Sequence, residues 1–299
     1  MNRRNFIASS LAASTAFLAG VRTDSRADEP KAGKFHLRYA PMLGWLGDKP
    51  IPERLEFFAA QGFLAVEHNG LMSMSLPDVE ALRKKLDELG MSFTSFVADG
   101  DQWRKPITST EFHPMFVDNI KKSLEYHKVI GNKALTVITG NETAGLSRDE
   151  QKKNVIEALK LGVQMLEGTD LTMVVEPLNV LVNHKGYFLS TSAEAAEIIT
   201  AVGSPHCRIL FDIYHQQITE GNLINNIRRY YDLIGHFHIG DNPGRKEPGT
   251  GEINYRNVFK AIYEKGYQGA LAMEHGLSGG GNEAGVLKCF EEYRKADAW

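Results

Sequence analysis

The feature that most constrains this chain is an alternation that runs through nearly its whole length. Short apolar runs are expected as strands at 35–40, 64–67, 92–97, 134–139, 172–175, 208–211, 234–239 and 270–273. Amphipathic stretches expected as helices follow them, opening at 52 and then covering 78–89, 112–130, 148–166, 193–201, 223–233, 258–265 and 283–296. The helical stretch at 148–166 shows the pattern well, with Val155, Ala158, Leu159, Leu161 and Val163 on its apolar side. Glycines stop two others, Gly90 and Gly131. Strands this short and apolar are expected to be buried on both faces. Eight such units in 299 residues predict an α/β protein built as one (β/α)8 barrel, a TIM barrel. The competing architecture is an open doubly wound sheet, which favours a glycine-rich phosphate loop after its first strand. Here that place is taken by Pro41-Met42-Leu43-Gly44-Trp45.

The first 30 residues do not belong to this pattern. Asn2-Arg3-Arg4-Asn5-Phe6-Ile7 opens an uncharged apolar run that lasts to Val21, and the composition then turns polar. A charged start, an apolar middle and small residues near the end predict an export signal. The paired arginines resemble the twin-arginine signal of bacteria. The expected division is a signal peptide and linker at 1–30 and the barrel at 31–299, with processing after Ala19 or Ala27 and a periplasmic location. The run is short for a membrane span of about 20 residues, and no stable span is expected after processing. Two cysteines, Cys207 and Cys289, are too few for a disulfide scaffold and are expected as buried small residues. A formal net charge of -3 with no broad basic stripe argues against nucleic acid as a partner. A homo-oligomer is left open.

Chemistry in such barrels sits at the carboxyl ends of the strands. Reading those ends gives Glu67-His68-Asn69, Glu176-Pro177-Leu178-Asn179, Asp212-Ile213-Tyr214-His215, His238-Ile239-Gly240-Asp241 and Glu274-His275. The steps from Glu176 to Asp212, to His238 and to Glu274 are 36, 26 and 36 residues, each about one βα unit. The four side chains are therefore expected to converge. Two Glu, one Asp and one His suit a divalent cation such as Mg²⁺, Mn²⁺ or Co²⁺. Three clustered carboxylates repel one another unless an ion or protons neutralise them. Taken singly, each residue is as well explained as a helix cap or a surface ion-pair partner. His215 is a candidate substrate donor, and Glu67 occupies a further rim position with less support. His236 shares a face with His238 one pleat deeper and is expected to be packed. The seventh strand runs into Asp241-Asn242-Pro243-Gly244-Arg245, a stiffened loop whose arginine suits an anionic ligand.

Together, Val175-Glu176-Pro177-Leu178-Asn179, Asp212-Ile213-Tyr214-His215, the 241–245 loop, Glu247-Pro248-Gly249-Thr250-Gly251-Glu252-Ile253-Asn254-Tyr255 and Met273-Glu274 resemble the hydroxypyruvate isomerase family, one of the xylose isomerase-like barrels. The resemblance is closest over the last two thirds of the mature chain. It implies a divalent metal held by Glu176, Asp212, His238 and Glu274, with Glu176 and Glu274 as the acid/base pair. It implies substrate contacts from His215 and Arg245. The implied reaction is aldose–ketose type isomerisation of hydroxypyruvate and tartronate semialdehyde, or of a related small hydroxy-keto acid, by proton transfer through an enediolate. Hydroxypyruvate isomerases usually carry Gln where this chain has His238, whereas ketose epimerases carry His. A ketose 3-epimerase, an epimerase or lyase of keto-glycosides, and a non-catalytic periplasmic sugar-binding barrel therefore stay open. DNA cleavage of the endonuclease IV kind would need further histidine ligands and a basic face.

Overall fold

The computed structural model describes residues 35–98 and 100–299. The expected export signal lies outside them. Eight parallel strands follow one another: β1 (Arg38–Ala40), β2 (Ala65–Val66), β3 (Ser92–Phe93), β4 (Ala134–Val137), β5 (Thr172–Val175), β6 (Cys207–Asp212), β7 (Ile234–His238) and β8 (Ala270–Ala272). Six of them form a sheet in the order β1-β8-β7-β6-β5-β4, and β2 pairs with β3. Bridges between Met42 and Glu67 and between Val97 and Thr136 tie the pair to β1 and β4 and close the barrel.

The second and third strands are shorter than the apolar runs that announce them. Hydrogen bonding nonetheless continues past their ends. The Glu67 amide donates to Pro41 O at 3.1 Å, and the Thr136 amide to Phe96 O at 2.9 Å. Pro41 has no N–H to give a ladder, and closure requires the strands to tilt and stagger, so regular pairing is brief on this side.

The helices are α1 (Ile51–Ala60), α2 (Leu76–Glu88), α3 (His113–Ile130), α4 (Arg148–Leu166), α5 (Ser192–Val202), α6 (Ile213–Thr219), α7 (Leu223–Tyr230), α8 (Tyr255–Glu264) and α9 (Glu283–Ala296). Their ends follow local chemistry. Ser147 and Glu150 form a reciprocal capping box at the start of α4. The Ser75 side chain caps α2 and starts it two residues before the expected position. At the end of α3, Gly131 takes φ 72°, a left-handed conformation that glycine adopts without strain.

The short α6 has no counterpart in the hydrophobic pattern, because seven residues are too few to show a period. Its start is fixed by Asp212, whose Oδ1 accepts the His215 amide at 3.0 Å.

Large apolar side chains such as Phe96, Phe116, Phe211, Phe237 and Phe259 are fully buried. Cys207 and Cys289 are buried and free. Among the described residues no helix is long and apolar enough to cross a membrane.

Candidate active site

Four strands deliver the acid cluster. Asp212 and His238 are the last residues of β6 and β7, Glu176 directly follows β5, and Glu274 lies two residues past β8. One ligand atom from each of Glu176, Asp212, His238 and Glu274 lies within 4.8 Å of all the others. The convergence expected from the spacing is thus present. The set is also chemically open to a cation, because Glu176 Oε1 is buried with no hydrogen-bond partner. Residues of this type at this separation fit a hard divalent ion.

His238 is fully enclosed, and its ring divides its two nitrogens. Nδ1 lies 2.8 Å from Glu274 Oε2 and 3.6 Å from Glu176 Oε1. Nε2 lies 2.7 Å from Glu67 Oε1. Burial disfavours a charged imidazole here, but Glu274 and Glu67 outweigh it and raise the pKa well above the ordinary value. Glu176 is displaced upward by burial and by the repulsion of Glu274 and Asp212, despite the opposing attraction of the nearby His238 ring. Glu274 moves the opposite way. Its burial is overcome by His238 and Arg245, which keep it well below the usual carboxylate range. The two glutamates of the expected acid/base pair therefore sit in environments that separate their proton affinities.

Glu67 is not at the rim where its sequence position put it. Its side chain has no exposure and lies beneath His238. One oxygen meets His238, and the other accepts from His236 at 2.8 Å and from the Thr94 hydroxyl. Burial raises its pKa, but the two histidines overcome this and lower it to about 2. The expectation of substrate contact is corrected on this ground. Its side chain is wholly enclosed, with Oε2 hydrogen-bonded to His236 and Thr94, and it does not line the cavity above. His236 is packed, as expected from its depth in the pleat.

His215 and Arg245 do line that cavity. His215 is 1% exposed, and its Nδ1 takes the Asn179 side-chain amide at 2.6 Å. Burial pushes its pKa down to about 4, so the ring is neutral near pH 7. Arg245 is presented by a rigid loop. Asp241 Oδ2 accepts the amides of Gly249 and Gly251, both at 2.9 Å, and Oδ1 accepts those of Asn242 and Ile253 at 2.9 and 3.1 Å. Arg245 itself adopts φ 49°, a conformation uncommon for a residue with a Cβ. Its Nη2 reaches Asp212 Oδ2 at 2.9 Å and Glu274 Oε2 at 2.6 Å, while its Nε is buried without a partner. The guanidinium stands over the Tyr214 ring, 5.1 Å from its centroid.

Several residues at the site carry no distinct signal in the sequence. Asn69 donates to Glu274 Oε1 at 2.6 Å and fixes that carboxylate. It stands two residues beyond Glu67 in the strand-two end already noted, which is the one hint available. Trp103 and His184 come from separate loops and stack at 5.1 Å with an interplanar angle of 11°. With Val97, Ile138 and Leu178 they complete a cavity of about 150 Å³ above the acid cluster.

The model of the family described as xylose isomerase-like TIM barrel matches residues 55–290. The hydroxypyruvate isomerase of Escherichia coli (strain K12) is 32% identical over 244 residues, covering 80% of this chain and 93% of the relative. The 2-oxo-tetronate isomerase of Cupriavidus necator is 31% identical over 243 residues, covering 80% and 92%. Among solved structures, an AP endonuclease, family 2, from Brucella melitensis superposes with a TM-score of 0.76 at 27% identity, covering 84% of this chain and 96% of that one.

Proposed function

The chain belongs to the xylose isomerase-like TIM barrel family, and on that premise we propose that it is a metal-dependent isomerase of small hydroxy-keto acids, with hydroxypyruvate and tartronate semialdehyde as the first pair to test. The observation that carries this reading is the meeting of Glu176, Asp212, His238 and Glu274 within 4.8 Å. The sequence likeness to isomerases of small keto acids supports it. A divalent cation on these four residues would polarise the substrate's oxygens and stabilise the negative charge that develops on them.

The protein's own part is proton transfer and grip. One of Glu176 and Glu274 removes the proton from the carbon bearing the hydroxyl, and a glutamate returns it to the neighbouring carbon. Glu274 is held ionised by its cationic neighbours and suits the removal, while Glu176 is the readier proton carrier. Asn69 and Arg245 keep Glu274 in place. The free Nε of Arg245 gives it capacity for a substrate carboxylate. Enclosure by Trp103, Ile138 and Leu178 limits the access of water.

Epimerisation of a ketose is the second reading, favoured by His238, the residue ketose epimerases carry at this place. The cavity size argues for the smaller acid, since about 150 Å³ is below the roughly 300–1,000 Å³ of sites for larger ligands. The test is proton NMR in D₂O with Mg²⁺ supplied, on hydroxypyruvate and on a panel of ketoses. Deuterium entering the carbon skeleton of hydroxypyruvate is expected, with its loss in Glu274→Gln. Exchange on ketoses alone would assign the epimerase reading. Metal binding with no exchange on any compound would leave a non-catalytic binding barrel. The paired-arginine start further supports export to the periplasm, which cell fractionation checks.

A further inference from the structure

His184 lines the cavity and no step above employs it, and unlike His215, whose Nδ1 is taken by Asn179, its ring nitrogens have no protein partner among the described residues. Its backbone is held firmly. The His184 amide donates to Asn179 O at 3.1 Å, and Asn179 Oδ1 accepts the amides of Val182 and Asn183 at 3.0 and 3.1 Å. Its ring is fixed from two sides, flat against Trp103 and tilted at 5.2 Å from His215. Trp103 is held in turn, since its carbonyl accepts the Asn141 side chain at 3.2 Å. Among the described residues, neither ring nitrogen of His184 has a hydrogen-bond partner, although the ring is half-buried and borders the same cavity as Glu176, Glu274 and Arg245. An oriented imidazole with both nitrogens free at a small cavity is a preorganised ligand contact.

We propose that His184, stacked on Trp103, is a specificity-determining residue that hydrogen-bonds a hydroxyl on the carbon beyond the reacting pair, so that the site prefers four-carbon hydroxy-keto acids to three-carbon ones. This rests on the isomerase reading for its substrate class. A neutral imidazole offers one donor and one acceptor, which matches a hydroxyl and not a carboxylate. Burial and the charge of Arg245 lower the His184 pKa below its ordinary 6.5, so the ring is neutral near pH 7. Carboxylate recognition falls to Arg245, which is permanently charged.

The experiment is calorimetric titration of the Mn²⁺-loaded protein with two unreactive acids, erythronate with four carbons and glycerate with three. The expected result is erythronate bound about tenfold more tightly than glycerate, the range open to one well-placed hydrogen bond. His184→Phe keeps the stacking on Trp103 and is expected to erase that preference, mainly by weakening erythronate. His184→Gln keeps a donor and an acceptor and is expected to restore part of it. Equal binding of both acids by the unaltered protein, or a preference that survives His184→Phe, overturns the proposal. Equal weakening of both acids in His184→Phe also overturns it. Turnover of hydroxypyruvate and of its four-carbon hydroxy-keto homologue is measured alongside and reports on the isomerase reading separately. A lost preference without turnover sinks that reading and keeps this one, and turnover with an unchanged preference does the reverse.

Discussion

His238 turns its Nε2 onto Oε1 of Glu67 at 2.7 Å, a carboxylate buried wholly beneath the acid cluster. The same ring presents Nδ1 to Glu274 at 2.8 Å. A carboxylate behind a ligating histidine fixes its tautomer and increases its basicity, and its loss costs about 10–100-fold in metal affinity. Glu67→Gln is therefore expected to weaken Mn²⁺ binding by about that factor, read by calorimetry with a thermal melt to confirm folding. Unchanged affinity would show that Glu67 serves packing alone.

Glu176→Gln and Glu274→Gln test the acid/base pair. Each is expected to reduce kcat by at least about 10²-fold, the usual worth of a positioned acid or base. Glu176 is crowded by Glu274 and Asp212. In the presence of a chelator, Glu176→Gln is therefore expected to melt no lower than the unaltered protein, because it removes one of three mutually repelling carboxylates. Full turnover in either variant would reject the assignment.

Arg245→Lys preserves the charge but not the fork. A two-pronged grip on a carboxylate depends on the planar guanidinium. The expected outcome is a KM for hydroxypyruvate raised by about tenfold or more, from the worth of charge-assisted hydrogen bonds. Steady-state kinetics decide this, and an unaltered KM would remove Arg245 from substrate recognition.

The loop that carries Arg245 is also anchored through its neighbour Glu247, which has no exposure. Ser278 donates to Glu247 twice, with its amide at 2.9 Å and with its hydroxyl. Burial raises the Glu247 pKa, but the Ser278 hydrogen bonds prevail and hold it below the ordinary 4.5. A depressed carboxylate adds stability above its unfolded pKa and loses it as pH falls through the folded one. Ser278→Ala is expected to cost about 1–3 kcal/mol near pH 7. Urea unfolding should show that deficit shrinking once the pH drops below 4.5. A deficit of the same size under both conditions would mean the loss is one of packing.

The ends of α4 and α9 are legible in the sequence because their signals are local. Ser147 and Asn282 cap them, and each carries a clear apolar face. The acid cluster is legible because its members recur about one βα unit apart on strands of similar role. Glu67 is not, for a definite reason. Strand tilt and stagger set how high each strand end stands in a closed barrel. A residue just past β2 can therefore lie below the end of β7, which position along the chain does not disclose. The helix α6 escapes notice for want of length, and its start is visible only in the Asp212 cap. His184 and Trp103 are 81 positions apart in separate loops, and no spacing rule joins them.

By itself the sequence determined the repeating βα unit, the parallel barrel and the set of carboxylates at its mouth. These follow from periodicity and from turn and cap chemistry, which act over a few residues. Tertiary structure alone decided which nitrogen of His238 meets which carboxylate, that Arg245 bridges Asp212 and Glu274, and that His184 is pressed against Trp103 at the cavity. Those relations depend on closing the ring of strands and on packing distant loops over it, and both bring together residues that the chain keeps far apart.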